Sequence, residues 1–256
     1  MKKSFLLIFI AGSFLAPRAG ATPTTTYWAP STTAVQGYLV PHITYDTYFG
    51  KGIYPGQEGS PIYPVTTGLT MGVLPWQAIQ LEVGFDLLLP SEDPALFNAK
   101  LGTPEGTFFA GSPSLAVGIF GVGTKSDATD YDIVYGQIQK NLPWGGYVSV
   151  GGYYGAGAEG LWKSSTGDLN RAGFIGAITA PDIVIDIPGL KKIVAVADVQ
   201  TGKNAFGAGG VGLYLYFTDS VDLLTGPVFF FDGDLQPGKS SFMWTMQLDI
   251  DVTLLK

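Results

Sequence analysis

His42 is the only histidine in the 256 residues, so a serine hydrolase built from this chain would have to use it as the base between a nucleophile and an acid. No G-x-S-x-G elbow occurs in the sequence, and His42 shares an alternating run with Thr44 and Asp46. That spacing puts the three side chains on one side of a strand, where a hydrogen-bonded, structural histidine is the simpler reading. A second motif, Gly207-Ala208-Gly209-Gly210-Val211-Gly212 followed by Asp232, matches the G-x-G-x-x-G dinucleotide fingerprint. The fingerprint needs a helix after its glycines to hold pyrophosphate, whereas Val211, Leu213, Leu215 and Phe217 alternate with Gly212, Tyr214 and Tyr216 as in a strand. These glycines are expected to ease strand curvature and leave room on one face. Asp232 with Asp234, and Glu92 with Asp93, could attract calcium, but short pairs without a fixed ligand set read as solvated loop charges. The absence of cysteine removes disulfides, thiolate metal sites and a cysteine nucleophile together. No metal or cofactor is expected.

One set of charged residues survives this sorting. Asp46, Glu82, Asp86, Asp198, Asp249 and Asp251, together with His42 and Lys100, fall at the polar positions of alternating runs. An interior lined by them would favour cations or neutral solutes. The same carboxylates could equally brace a closed interior through cross-strand pairs. A net charge of −7, with 14 Lys plus Arg and no basic block, leaves no footprint for nucleic acid.

The elements that would position these residues follow from a hydropathy of period two. From Ile79 to Leu87 the odd positions Ile79, Leu81, Val83, Phe85 and Leu87 are apolar, and Gln80, Glu82, Gly84 and Asp86 lie between them. From Trp244 to Leu254 the even positions are apolar and the odd ones hold Thr245, Gln247, Asp249, Asp251 and Thr253. The same test predicts twelve strands, at 37–49, 62–73, 77–89, 95–103, 113–124, 130–141, 146–157, 170–180, 191–201, 207–217, 221–231 and 241–255. Each is near the roughly 9 to 11 residues that cross a bilayer on a tilt. Pro41, Pro64 and Pro227 fall inside three of them, where each removes a ladder hydrogen bond.

Only 14% of the residues are charged, against roughly 25% in an ordinary soluble domain. Short links such as Leu74-Pro75-Trp76 and Thr218-Asp219-Ser220 alternate with links richer in Gly, Asp, Ser and Lys, while 103–112 and 180–190 are longer links on the short-turn side. Trp76, Trp144, Tyr147 and Phe217 gather at that inner side, and Tyr45, Phe49, Tyr153, Tyr154, Phe229, Phe231 and Trp244 toward the outer one. At the N-terminus Lys2 and Lys3 precede an apolar run from Phe5 to Ala16, then Ala19-Gly20-Ala21. Residues 1–21 are therefore expected to be a cleaved signal peptide, 22–36 a Thr-rich segment and 37–256 a single barrel domain.

On that leader, the strand count, the aromatic ends and turns such as Tyr216-Phe217-Thr218-Asp219-Ser220-Val221, the chain resembles bacterial outer-membrane β-barrel proteins. The resemblance covers essentially all of 22–256. It implies an all-β fold, a closed antiparallel transmembrane β-barrel of about 12 strands, in contact with outer-membrane lipid and folded by the barrel-assembly machinery. One departure is that such proteins usually finish on an aromatic residue, whereas this sequence ends Leu254-Leu255-Lys256.

An even number of strands brings both chain ends to the periplasmic side. Pairing the first strand with the last, Gly37 with Leu254, places His42 within a few residues of Asp249. The neighbouring hairpin brings Lys100 toward Asp86, or toward Glu82 if slipped. Gly68, Gly72, Gly84, Gly102, Gly151, Gly210 and Gly212 add little bulk, so a narrow water-filled passage is expected, although Tyr214 and Tyr216 argue against it. Three functions remain: a porin-like passive diffusion channel for small cations or neutral solutes, a non-conducting structural or envelope-assembly barrel, and an outer-membrane lipid-modifying enzyme. The sequence leaves open whether the Thr-rich segment enters the lumen.

Overall fold

The computed structural model describes residues 24–50, 65–89, 93–126 and 129–254. The expected signal peptide, Glu92 and Pro64 lie outside the described residues. Alternation of lipid-facing and inward-facing side chains yields thirteen strands within them. These are β1 (Pro41–Phe49), β2 (Val65–Gly72), β3 (Gln80–Leu89), β4 (Ala95–Thr103), β5 (Ser114–Gly123) and β6 (Asp130–Asn141). There follow β7 (Tyr147–Gly155), β8 (Ala172–Thr179), β9 (Ile183–Ile187), β10 (Leu190–Gln200), β11 (Ala208–Tyr216), β12 (Val221–Phe230) and β13 (Phe242–Asp251).

Every strand pairs antiparallel with its neighbours, β13 pairs with β1, and β10 pairs with β11, so the sheet closes on itself. Closure matters because a sheet edge in hydrocarbon would leave backbone groups unpaired at several kcal/mol each, by order of magnitude. β8 pairs with Val196–Gln200 and β9 with Leu190–Ile193, both on the same side of β10. The two are one stave in two pieces, and the barrel has twelve staves among the described residues. No helix among those residues is long and apolar enough to cross a membrane; the crossing is made by strands. Their outward side chains, such as Ile43, Phe97, Val117, Val211 and Leu213, are exposed and apolar.

The twelve sequence-derived strands match the staves to within a few residues. The correction is β9, which the periodicity left inside a link: its five residues are too short to show a period, and pairing to β10 makes it a strand. Pro41 opens β1, and its carbonyl accepts the Val252 N–H, which brings the two ends of the barrel domain together on one side. Pro227 sits within β12, and there the β11–β12 ladder passes from Gly210↔Val228 to Leu213↔Thr225 with no pair between. The first and last strands meet as His42↔Asp251 and Thr44↔Asp249, two residues from the expected register.

The interior is not an open passage. Residues 24–36 run through it, with Thr24, Tyr27, Ala29, Ser31, Thr32, Val35 and Gln36 all buried. Tyr27 packs in an apolar cluster with Val194, Val196, Tyr214, Leu224, Val228 and Met243. Ala29 packs in a second one with Ile133, Tyr135, Tyr153, Ile175 and Trp162. Trp162 comes from a single 3-10 turn, Glu159–Trp162, in the loop after β7, and is itself fully buried. The expected water-filled lumen is corrected here: the space beside Gly72, Gly102, Gly210 and Gly212 is taken by the chain's own N-terminal segment.

Candidate functional site

The segment 24–36 has no regular secondary structure, so its backbone groups need partners from elsewhere. The barrel wall supplies them from two charged anchors. At one, the Asp198 carboxylate of β10 accepts the N–H groups of Tyr27 (3.0 Å), Trp28 (3.0 Å) and Ala29 (2.9 Å) and the Ser31 hydroxyl (2.8 Å). At the other, Glu82 of β3 accepts the Thr24 N–H (2.9 Å), the Thr24 hydroxyl (2.5 Å) and the Gln36 N–H (2.7 Å). Glu82 therefore ties both ends of a thirteen-residue loop to one point while Asp198 holds its tip.

Lys100, the cross-strand partner of Glu82 in the β3–β4 register, completes the base. Its Nζ lies 3.3 Å from Glu82 Oε1 and donates to the carbonyls of Thr24 (2.6 Å) and Ala34 (2.8 Å). Both side chains are fully buried. Of the two partners expected for Lys100, the register selects Glu82 and not Asp86.

Neutral side chains hold the flanks. Gln137 donates to the carbonyls of Pro30 (2.6 Å) and Thr32 (2.5 Å), Gln139 accepts the Thr33 N–H (3.0 Å), and Ser149 donates to the Ser31 carbonyl. The Thr33 and Ser114 hydroxyls are 2.7 Å apart. Burial first, and the charge of Asp198 second, push the Tyr27 hydroxyl well above its ordinary range, so it stays a donor, to the Pro227 carbonyl at 2.9 Å.

The glycines of the apparent dinucleotide motif have their explanation at Tyr27. A Cβ on Gly210 would lie 2.3 Å from one edge of the Tyr27 ring, and a Cβ on Gly212 2.4 Å from the other. Only a bare backbone lets the ring lie flat on β11. Gly212→Val is therefore expected to expel Tyr27 at an overpacking cost of about 1–3 kcal/mol, raising the exposed population roughly 5- to 150-fold. Chymotrypsin cleavage after Tyr27 or Trp28 in the folded barrel, slow in the parent and faster by that factor in the variant, measures it.

The remaining charged residues lie on β13, β1 and β3, in the part of the wall that runs between the two anchors. His42 Nδ1 is 2.9 Å from Asp251 and its Nε2 is 3.4 Å from Asp249, so both ring nitrogens face carboxylates. Asp251 also accepts from the Gln36 amide at 2.9 Å. Asp46 is buried on the same face of β1, and Asp86 is half-buried on β3. Thus Glu82, Lys100 and Asp198 contact the N-terminal segment, Asp251 links its end to His42 and through it to Asp249, and Asp46 makes no described hydrogen bond to the segment. Among the described residues no group of three acidic or imidazole side chains is placed to grip a metal ion.

The sequence did not single out Tyr27, Trp28, Gln137, Gln139, Ser149 or Trp162. The legible signal was the doubly apolar character of 193–197 and 221–230, strands whose inward face is greasy and therefore needs a covering partner.

No protein-family model and no curated protein sequence matches this chain. Among solved structures, it is similar to an outer-membrane channel from Pseudomonas putida F1, with TM-score 0.45 and 11% identity over 91% of this chain and 100% of that one. It is also similar to outer membrane phospholipase A from Escherichia coli, with TM-score 0.46 and 14% identity over 84% and 92%. The Salmonella typhi outer membrane phospholipase dimer with bound calcium gives TM-score 0.44 and 14% identity over 84% and 90%. The architecture of this chain, read from its own strand pairing, is that of an outer-membrane β-barrel.

Proposed function

We propose that this protein is a plugged channel of the outer membrane, which passes small cations or neutral solutes when residues 24–36 leave the lumen. One observation carries the reading: the segment is held by noncovalent contacts alone, its hydrogen bonds to Glu82, Lys100 and Asp198 each replaceable by water. The wall it would uncover has an acidic majority, which favours cations, and that preference weakens as salt screens it.

The test is conductance of the purified barrel in planar bilayers. The full chain is expected to be nearly silent. A chain lacking residues 24–36 is expected to conduct steadily, with a reversal potential on the cation side that shrinks at high salt. A silent deletion variant that is folded would move the assignment to a non-conducting structural barrel. The observation favouring that second reading is the pair of apolar clusters, which make much of the interior dry. A hydrolytic role finds less support, because the only histidine has both ring nitrogens turned to Asp249 and Asp251. We read it as a brace between β1 and β13.

A further inference from the structure

The plug does not satisfy the whole lumen wall. Thr44 and Asp46 of β1, Thr70 of β2, Asn98 of β4 and Asp249 of β13 are all more than nine-tenths buried. Apart from Asp249 Oδ1, which faces His42 Nε2 at 3.4 Å, their side chains make no described hydrogen bond, and the buried atoms left over are Thr44 Oγ1, Asp46 Oδ1, Thr70 Oγ1, both amide atoms of Asn98 and Oδ2 of Asp249. Buried polar atoms in native proteins are normally paired, so a concentration of unpaired ones in one sector points to an occupant.

The strand register brings them together. Thr44 pairs with Asp249 across β1–β13, and Gly84 separates Thr70 from Asn98 across β2–β3–β4. A Cβ on Gly84 would stand 2.4 Å from the Thr70 hydroxyl, so that hydroxyl leans over the glycine into the lumen. Asp46 is within electrostatic reach of Asp249 and of Asp86, while His42 is already shared between Asp249 and Asp251, and Lys100, two residues along β4 from Asn98, is taken by Glu82. The sector therefore has surplus negative charge and hard, neutral oxygen atoms around it.

We propose that this sector holds a hydrated sodium or potassium ion, bridged through its own waters to Asp46 and Asp249, with Thr44, Thr70 and Asn98 hydrogen-bonded to those waters. Calcium takes six to eight oxygen ligands directly and would require converging carboxylates, which no three acidic side chains among the described residues provide. A monovalent ion that keeps its water needs only scattered acceptors at water-bridging distance. The site requires the plugged barrel but not that the barrel conducts.

The experiment is thermal unfolding of the full chain in detergent, in potassium chloride and in N-methylglucamine chloride at equal ionic strength. Because a ligand of the native state raises its midpoint, the parent is expected to lose about 3 °C or more without potassium or sodium. Asp93→Asn, in an outer link, is expected to behave as the parent, and Asp46→Asn to show no dependence on the cation. Should Asp46→Asn fail to fold, Thr70→Val replaces it, with a reduced dependence expected. Equal midpoints of the parent in the two salts would overturn the site. Stabilisation by micromolar calcium with none by potassium would overturn the hydrated monovalent assignment. Neither outcome bears on the conductance of the deletion variant, so failure of the site and failure of the channel reading are read separately.

Discussion

Asp198→Leu is expected to open the barrel. The carboxylate collects three backbone N–H groups and one hydroxyl at 2.8–3.0 Å, and among the described residues the three N–H groups have no other acceptor. Hydrogen bonds to a charged acceptor contribute about 1.5–3 kcal/mol each, offset by the cost of burying the charge. A net loss of about 4 kcal/mol at the loop tip shifts the plugged–unplugged equilibrium roughly a thousandfold. A barrel seen open rarely should then be open most of the time. Asp198→Asn keeps one acceptor oxygen and should fall between the two. Open probability in planar bilayers, on protein shown to be folded by its gel mobility without heating, measures the series. A folded Asp198→Leu barrel as silent as the parent would remove Asp198 from the gating account.

Glu82 and Lys100 should give the largest loss of stability. They are directly opposed on β3 and β4, fully buried, and 3.3 Å apart. Removing one partner of such a pair strands the other charge and costs about 3–5 kcal/mol. Lys100→Met leaves Glu82 with its three donors but no countercharge, and Glu82→Gln leaves Lys100 with only the carbonyls of Thr24 and Ala34. The double variant has no stranded charge, so it is expected to lose less than the sum of the singles by at least about 1 kcal/mol. Chemical denaturation of the four proteins closes the cycle. Strict additivity would show that the pair is not coupled, and that the loop base is held by the neutral contacts.

The barrel was readable because each stave has one lipid-facing side, which imposes period two over eight to twelve residues. Residues 79–87 and 244–254 show it without interruption, and the closing register came within two residues because polar positions on both strands had to face the same interior. The short β9 was lost for want of length. The plug was unreadable for a different reason: residues 24–36 have no period, and their partners lie as far away as Gln247 and Asp251, at separations up to 220 residues. A polar–apolar test also misreads β10 and β12, where Val194, Val196, Leu224 and Val228 face inward to bed Tyr27. The glycines at 210 and 212 read from the sequence as space on a strand face, and β11 places them there. Only the three-dimensional arrangement shows that an aromatic ring fills it.

The central claim is that the N-terminal segment closes the lumen, and a lock tests it most directly. Thr33 and Ser114 touch through their hydroxyls at 2.7 Å, one on the segment and one on β5, and the chain has no native cysteine to compete. Thr33→Cys with Ser114→Cys is expected to form an intramolecular disulfide on mild oxidation, to remain silent in planar bilayers while oxidised even with Asp198→Leu in the same chain, and to conduct once reduced. Failure of the two cysteines to cross-link in the folded barrel, or an oxidised barrel that conducts as freely as the reduced one, would contradict the account.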